Sequence, residues 1–236
     1  GWDEKYPRKD MGNGKIRGVG AALAMQGSSI AGVDVGGASI KLGEDGSYTL
    51  SLGATDMGTG CDTILSQMAA DILETDFDNI VVFGVDTDVS PYDSGSYASA
   101  TTYITGIAVA DACQQLCGKI KELGASMLEK SPEDVDFDGK RVYELDGERS
   151  VSLEEIAVKG TCGNNTSLQA SASRSSKISP PPFMAGMAEV EIDTETGAIE
   201  LLDYVAVADC GTPINPNLAR VQIEGGLAQG IGMALF

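Results

Sequence analysis

Apolar residues along this chain change period several times, and each change predicts an element. Lys15 to Met25 (KIRGVGAALAM) reads as a strand whose Gly and Ala content suits close packing against another backbone. Ile30 to Leu42, with Asp34 and glycines inside it, reads as a second strand, and Glu44-Asp-Gly46 turns it into the alternating run Ser47 to Leu52. Helical spacing then begins at Thr63-Ile-Leu-Ser-Gln-Met-Ala-Ala-Asp-Ile-Leu73 and predicts a helix over 61–75. The β-branched stretch Asn79 to Val85 reads as a buried strand. A long helix follows from Ala98 to Leu128, with Ile107, Val109, Cys113, Leu116, Cys117, Ile120 and Leu123 on or near one face.

Beyond this helix the pattern turns polar. Residues 131–160 form an excursion: the strand Arg141 to Leu145, the turn Asp146-Gly147, and a short helix that Ser152 and Glu155 are spaced to cap. Ser167 to Pro182 (SLQASASRSSKISPPP) is low in complexity and reads as an extended loop, its Arg174 and Lys177 as solvated charges. Phe183 to Asp193 and Ala198 to Asp209 alternate as two strands around Thr194-Glu-Thr-Gly197, and Pro216 opens a last helix to Leu235. Gly225, Gly226, Gly230 and Gly232 each cost that helix about 1 kcal/mol against Ala, which calls for a packing reason. Dense helix packing would supply one; so would close approach to a flat ligand. Residues 1–13 lack periodicity and read as a surface tail. Hairpins alternating with helices predict an α+β fold of two layers, with tandem hairpin-plus-helix lobes at 14–130 and 183–236. The excursion 131–160 and the loop 161–182 lie between them, all within part of one domain.

Composition narrows the function. The 236 residues carry 35 acids against 16 bases, a net charge of −19, which argues against nucleic acid or an anionic membrane as partner. No apolar run approaches the ~20 residues of a membrane span, and no leader pattern opens the chain. Five cysteines, at 61, 113, 117, 162 and 210, fit free thiols in a reducing cytoplasm better than a disulfide frame. Histidine is absent, which removes the usual base of a Ser or Cys hydrolase and the commonest zinc ligand. Asp86, Asp88 and Ser90 fit the first positions of a calcium loop, but Pro91 and Tyr97 stand where its glycine and glutamate belong.

Gly53 to Asp62 (GATDMGTGCD) joins a strand to a helix through glycines, a geometry that offers backbone N–H groups to an anionic ligand. A tight turn with no ligand is the plainer reading of it. Near Gly211 the order recurs: hairpin, acid-plus-glycine turn, helix. Asp56-Met-Gly-Thr matches Asp209-Cys-Gly-Thr, suggesting two related halves facing one site.

Taken together, ATDMGTGCDT, SGSYASATTYITGIAVADAC and MAEVEIDTETGAIELLDYVAVADCGTPINPNLARVQIEGGLAQGIGMALF, in that order, resemble the molybdopterin-binding subunit of the xanthine dehydrogenase and aldehyde oxidase family, from about Lys15 to Phe236. The resemblance implies oxidative hydroxylation of an aldehyde or a purine-like N-heterocycle with oxygen from water. It also implies molybdenum–molybdopterin, the dinucleotide form included, and iron–sulfur clusters and FAD on partner domains or subunits. Gly58, Thr59 and Gly60 resemble the turn beside the cofactor, although many relatives carry Gln in place of Thr59. Ser99, Ala100 and Thr101 match a hydroxyl-bearing run that holds the pterin, and Gln222 a glutamine near the metal. Ser28, Ser29, Tyr97 and Ala98 align with the substrate pocket. No residue here matches a direct metal ligand. The family's general-base glutamate is expected beyond Phe236, so no catalytic residue is assigned within this chain, and Glu224 reads as a buried structural acid. The resemblance therefore implies a portion of a larger cytoplasmic, oligomeric subunit, inactive when isolated, and the glycine-rich helix 216–235 predicts self-association or poor solubility of the isolated chain. A partial or degenerate subunit serving in assembly is the alternative.

Overall fold

The computed structural model describes residues 8–162 and 167–236, and its chain divides into two compact units. The first joins the segment up to Gly27 with Pro180–Phe236; the second is Ser28–Ser179.

In the second unit, β3 (Gly36–Leu42) pairs with β4 (Tyr48–Leu52), which runs parallel to β5 (Ile80–Phe83) across α1 (Cys61–Ile72). Strand β9 (Gln169–Arg174) closes the order β5-β4-β3-β9. Alternation decides which face is covered: Ala38, Ile40, Leu42, Tyr48, Leu50, Leu52, Ala170 and Ala172 are buried, while the residues between them are not. Helix α2 (Gly106–Met127) packs on β3, β9 and α1, burying Val109, Cys113, Leu116, Ile120 and Leu123, the face its spacing predicts. The excursion is a small antiparallel sheet, β6 (Val135–Phe137), β7 (Arg141–Glu144) and β8 (Ser150–Ser152), followed by α3 (Leu153–Cys162). Its helix starts with the expected reciprocal cap: Glu155 N–H donates to Ser152 Oγ at 3.2 Å, and Ser152 N–H donates to Glu155 Oε2 at 2.9 Å.

In the first unit, β1 (Arg8–Gly12), β2 (Lys15–Met25), β10 (Phe183–Asp193) and β11 (Ile199–Asp209) form an antiparallel sheet in that order. Helix α4 (Pro216–Leu235) follows, capped by Asn215, whose side chain accepts from Asn217 N at 3.1 Å and Leu218 N at 3.1 Å. Lys15 and Arg17 donate to the two oxygens of Glu191 across β2 and β10, at 2.6 and 2.8 Å.

Several expectations are corrected. The strand expected over Ile30 to Leu42 begins only at Gly36, because the Asp34 carboxylate accepts the Ile30 N–H at 2.6 Å and holds 30–34 as a turn. Residues 8–12 are a strand rather than a tail, and 169–174, expected as loop, pair with β3 along its length. Glycines 225, 226, 230 and 232 have no heavy atom within 4 Å of where a Cβ would sit, so among the described residues nothing packs against them. Glu224 is exposed and paired with Arg220 at 2.6 Å, not buried. Arg174 is paired with Asp111 of α2 rather than free in solvent.

Candidate functional site

One end of the second unit's sheet gathers most of the residues that the sequence singles out. Strand β4 leaves the sheet there into the Gly53–Gly60 turn, and β5 leaves it there into the 84–96 loop. Strand β3 starts there, and β9 ends opposite it, Gly36 facing Arg174. The loop crosses the strand ends through a slot made by glycines. A Cβ on Gly53 would lie 2.5 Å from Pro91 O and 2.6 Å from Asp93 Cβ, and one on Gly36 would lie 2.7 Å from the Thr105 backbone.

The 28–29 segment and the 97–101 turn meet directly: Ser29 N–H donates to Ala98 O at 2.8 Å. Both sides of this junction have unusual backbone. Ser29 (φ 113°), Ala98 (φ 43°) and Ser99 (φ 60°) are non-glycine residues in the left-handed half of φ. Each such residue costs of order 1–3 kcal/mol and persists where surrounding contacts over-determine it, which is common at ligand sites. Those contacts are present. Ser179 Oγ donates to Ser29 O at 2.7 Å, Gly32 N to Ser176 O at 2.7 Å, and Thr101 Oγ1 to Ser96 Oγ at 2.7 Å. A π-turn over Thr101–Thr105 then leads into α2.

Ser29 is buried, and its Oγ has no hydrogen-bond partner among the described residues. An unpaired buried hydroxyl is unfavourable, so Ser29 is suited to meet a polar ligand atom. Ser28, Ala98 and Thr101 are half-buried, Ala100 is buried, and Tyr97 and Ser99 are exposed.

The Gly58 turn differs from the expectation of open N–H groups. Asp56 Oδ1 accepts from Gly58 N at 2.9 Å and Gly60 N at 3.1 Å, and its Oδ2 accepts from Asp62 N at 3.4 Å. Burial works to raise the Asp56 carboxyl, but these backbone donors outweigh it and hold it below the usual carboxylate range. The donors offered to an anion are therefore already used. Gly58 (φ 102°) has no heavy atom within 4 Å of a Cβ position, leaving an open surface there. Asp209 makes the same local turn, accepting Gly211 N at 3.0 Å with Gly211 at φ 73°, so the matched tetrapeptides share a structure as well as an order. Gln222 lies on the exposed surface of α4, in the other unit.

Asp56, Cys61 and Asp62 bring their ligand atoms within 4.8 Å of one another. Burial, first among several influences, pushes the Cys61 thiol up to about 11, which keeps it protonated near neutral pH. Sequence reading names Ser29, Ala98 and Ser99 but misses their left-handed backbone, since none is a glycine, and it misses Asp93 beside them.

A molybdopterin is a flat ring with a hydrogen-bonding edge, and its own sulfurs rather than a side chain would hold the metal. The hydroxyl-bearing run Ser99–Thr101 and the open face at Gly58 fit such a group, and the unpartnered Ser29 hydroxyl suits a polar ligand atom beside that run. The whole chain, residues 1–236, matches the molybdopterin cofactor-binding domain, and it belongs to that family. Over 233 residues (97% of this chain, 24% of the relative) it is 37% identical to a probable hypoxanthine oxidase of Escherichia coli (strain K12). Over 243 residues (100% of this chain, 32% of the relative) it is 31% identical to the xanthine dehydrogenase molybdenum-binding subunit of Escherichia coli O157:H7. Quinoline 2-oxidoreductase from Pseudomonas putida 86 superposes with a TM-score of 0.78 at 26% identity, covering 93% of this chain and 30% of that one. The chain thus spans about a quarter to a third of the length of these relatives. Its family is that of the molybdenum hydroxylases, and its fold is theirs.

Proposed function

We propose that the chain is the part of a molybdenum hydroxylase subunit that holds the pterin and lines the substrate pocket. The reaction proposed is oxidative hydroxylation of an N-heterocycle, in which a ring C–H and water become C–OH and two protons and two electrons leave. When bound, molybdenum–molybdopterin supplies the oxygen transfer and receives the electrons, and iron–sulfur clusters and FAD on partner domains or subunits carry them onward. The observation that carries this reading is the Ser29–Ala98 junction, where strained backbone and an unsatisfied buried hydroxyl meet at one end of the sheet.

In this reading Ser99, Ala100 and Thr101 face the pterin, with Gly58, Thr59 and Gly60 beside it. Ser28, Ser29, Tyr97 and Ala98 line the substrate pocket, and Gln222 approaches the metal. No side chain of this chain ligates the metal. The general base comes from the rest of the large subunit. Purine- and quinoline-named relatives favour a heterocycle over an aldehyde. No helix among the described residues is long and apolar enough to cross a membrane; action in the cytoplasm is part of the proposal.

The test is elemental and pterin analysis of the native protein purified with its partners, followed by turnover assays on purines, pyridines, quinolines and aldehydes. Molybdenum and pterin near one per complex, with activity on a heterocycle, is the expected result. Absence of both, under conditions that load a control hydroxylase, would overturn the reading.

A further inference from the structure

The strained pair Ala98–Ser99 sits between two points that a single carboxylate ties together. On the N-terminal side, Asp93 Oδ1 accepts Gly95 N–H at 2.9 Å. On the C-terminal side, Thr105 is buried and donates its Oγ1–H to Asp93 Oδ2 at 2.8 Å. The two oxygens of Asp93 therefore close residues 95–105 into a loop containing the left-handed pair and the π-turn. The clamp is itself fixed to the sheet. Ser94 N–H donates to Val35 O at 2.9 Å, and Val35 N–H donates to Ser94 Oγ at 3.0 Å. Asp93 Cβ fills the gap at Gly53, and the Thr105 backbone fills the gap at Gly36.

We infer that Asp93 and Thr105 are positioning residues which hold the Tyr97–Thr101 turn in the strained shape that receives the pterin. The inference rests on the function proposed above. Neither residue need touch the cofactor. Their effect is preorganisation: a turn already held in its bound shape loses less freedom when the ligand arrives.

The chemistry distinguishes the variants. Thr105→Val keeps the shape and removes only the hydroxyl, and Thr105→Ser restores it. Asp93→Asn keeps one acceptor oxygen, and its amide can still donate to the Thr105 hydroxyl. The experiment uses the full subunit in complex with its partners, and reads two quantities for each variant. One is hydrogen exchange at the 97–101 amides; the other is molybdenum and pterin per complex.

In Thr105→Val, exchange at 97–101 should rise about tenfold or more, the equilibrium factor expected on losing one charge-assisted hydrogen bond. Cofactor content should fall with it. Thr105→Ser should stay near wild type in both, and Asp93→Asn should fall between. Wild-type exchange and loading in Thr105→Val would overturn the inference, as would equal failure of Thr105→Ser. Faster exchange in Thr105→Val that extends equally to β3 and β4 would mark a merely structural residue, and would also overturn it. A wild-type complex without molybdenum or pterin would instead sink the functional reading, while the exchange comparison would still decide whether the clamp exists.

Discussion

An alanine at Gly36 tests whether the slot beneath the candidate site is closed. Its methyl would lie 2.7 Å from both N and Cα of Thr105 and 2.9 Å from the Ile104 carbonyl carbon. Carbon atoms pack best at about 3.5–4.0 Å, so the helix start or the strand must give by several tenths of an ångström. All three atoms belong to the backbone, so no rotamer change relieves them. Overpacking of this kind costs about 1–3 kcal/mol. Removing a glycine from the unfolded chain returns about 0.4–1 kcal/mol. The net expectation is a loss of about 1 kcal/mol, and at most about 2.6 kcal/mol. Gly118 supplies the control in the same unit: it is exposed in the middle of α2 with nothing within 4 Å of a Cβ. Gly118→Ala should therefore stabilise by up to about 1 kcal/mol through helix propensity alone. Urea titrations followed by circular dichroism, analysed with a common slope, should move the two midpoints in opposite directions. A Gly36→Ala midpoint at or above wild type would refute the reasoning.

Four further expectations follow from contacts already described. Ser152→Ala removes one half of the reciprocal cap on α3 and should cost about 1 kcal/mol by thermal denaturation; no change would show the cap to be idle. Burial pushes the thiols of Cys61 and Cys117 up to about 11 and that of Cys113 to about 12, whereas Cys162 and Cys210 are exposed. Iodoacetamide at neutral pH should accordingly label Cys162 and Cys210 on the native protein, and rapid labelling of Cys113 would contradict the burial. Hydrogen bonds from Lys15 and then Arg17 hold the Glu191 carboxyl below its ordinary value. Its contribution is thus full above the unfolded carboxyl pKa of about 4.3 and disappears as pH falls through the lower folded value. Glu191→Gln should flatten the acid limb of the stability curve, and an unchanged limb would refute the linkage. Finally, Asp56→Ala should cost about 1 kcal/mol and speed hydrogen exchange at the Gly58 and Gly60 amides, which lose their acceptor; unchanged exchange would count against the turn as drawn.

What the sequence reveals depends on whether a residue's state is decided locally. The alternation in Ser47 to Leu52 and the helical spacing through Cys113, Leu116 and Ile120 report burial directly. The strand is found where predicted, while the helix expected from Ala98 begins only at Gly106, because left-handed Ala98 and Ser99 and the 101–105 π-turn interrupt it. Gln169–Arg174 carries only Ala170 and Ala172 as its apolar face, too weak a signal for a strand; pairing with β3 makes it one. Arg8–Gly12 is polar, yet Asn13-Gly14 after it is a strong hairpin signal, and Gly12, Asn13 and Gly14 all have positive φ. Ser29, Ala98 and Ser99 offer no such signal. Their φ values are imposed by long-range partners such as Ser179 on Ser29, and no local propensity predicts them.

The Gly58 turn shows how a competing acceptor changes the role of a glycine loop. Read from sequence, its glycines expose N–H groups to an anion. In the structure, Asp56 takes the N–H groups of Gly58, Gly60 and Asp62, and its ionised form is favoured. An incoming phosphate would have to displace a bound carboxylate, on a chain whose net charge is already −19. Contact at this turn is then better made by a flat, uncharged surface lying over the open face of Gly58. In the proposed reading the Ser99 and Thr101 hydroxyls supply what that face lacks, polar groups able to meet a ring edge. On the proposed reading the two features divide the work: Gly58 admits the plane of the ring, and the strained turn reads its edge. The turn at Asp209 and Gly211 satisfies its own glycine N–H with a carboxylate in the same way, so that donor too is taken before any anion arrives.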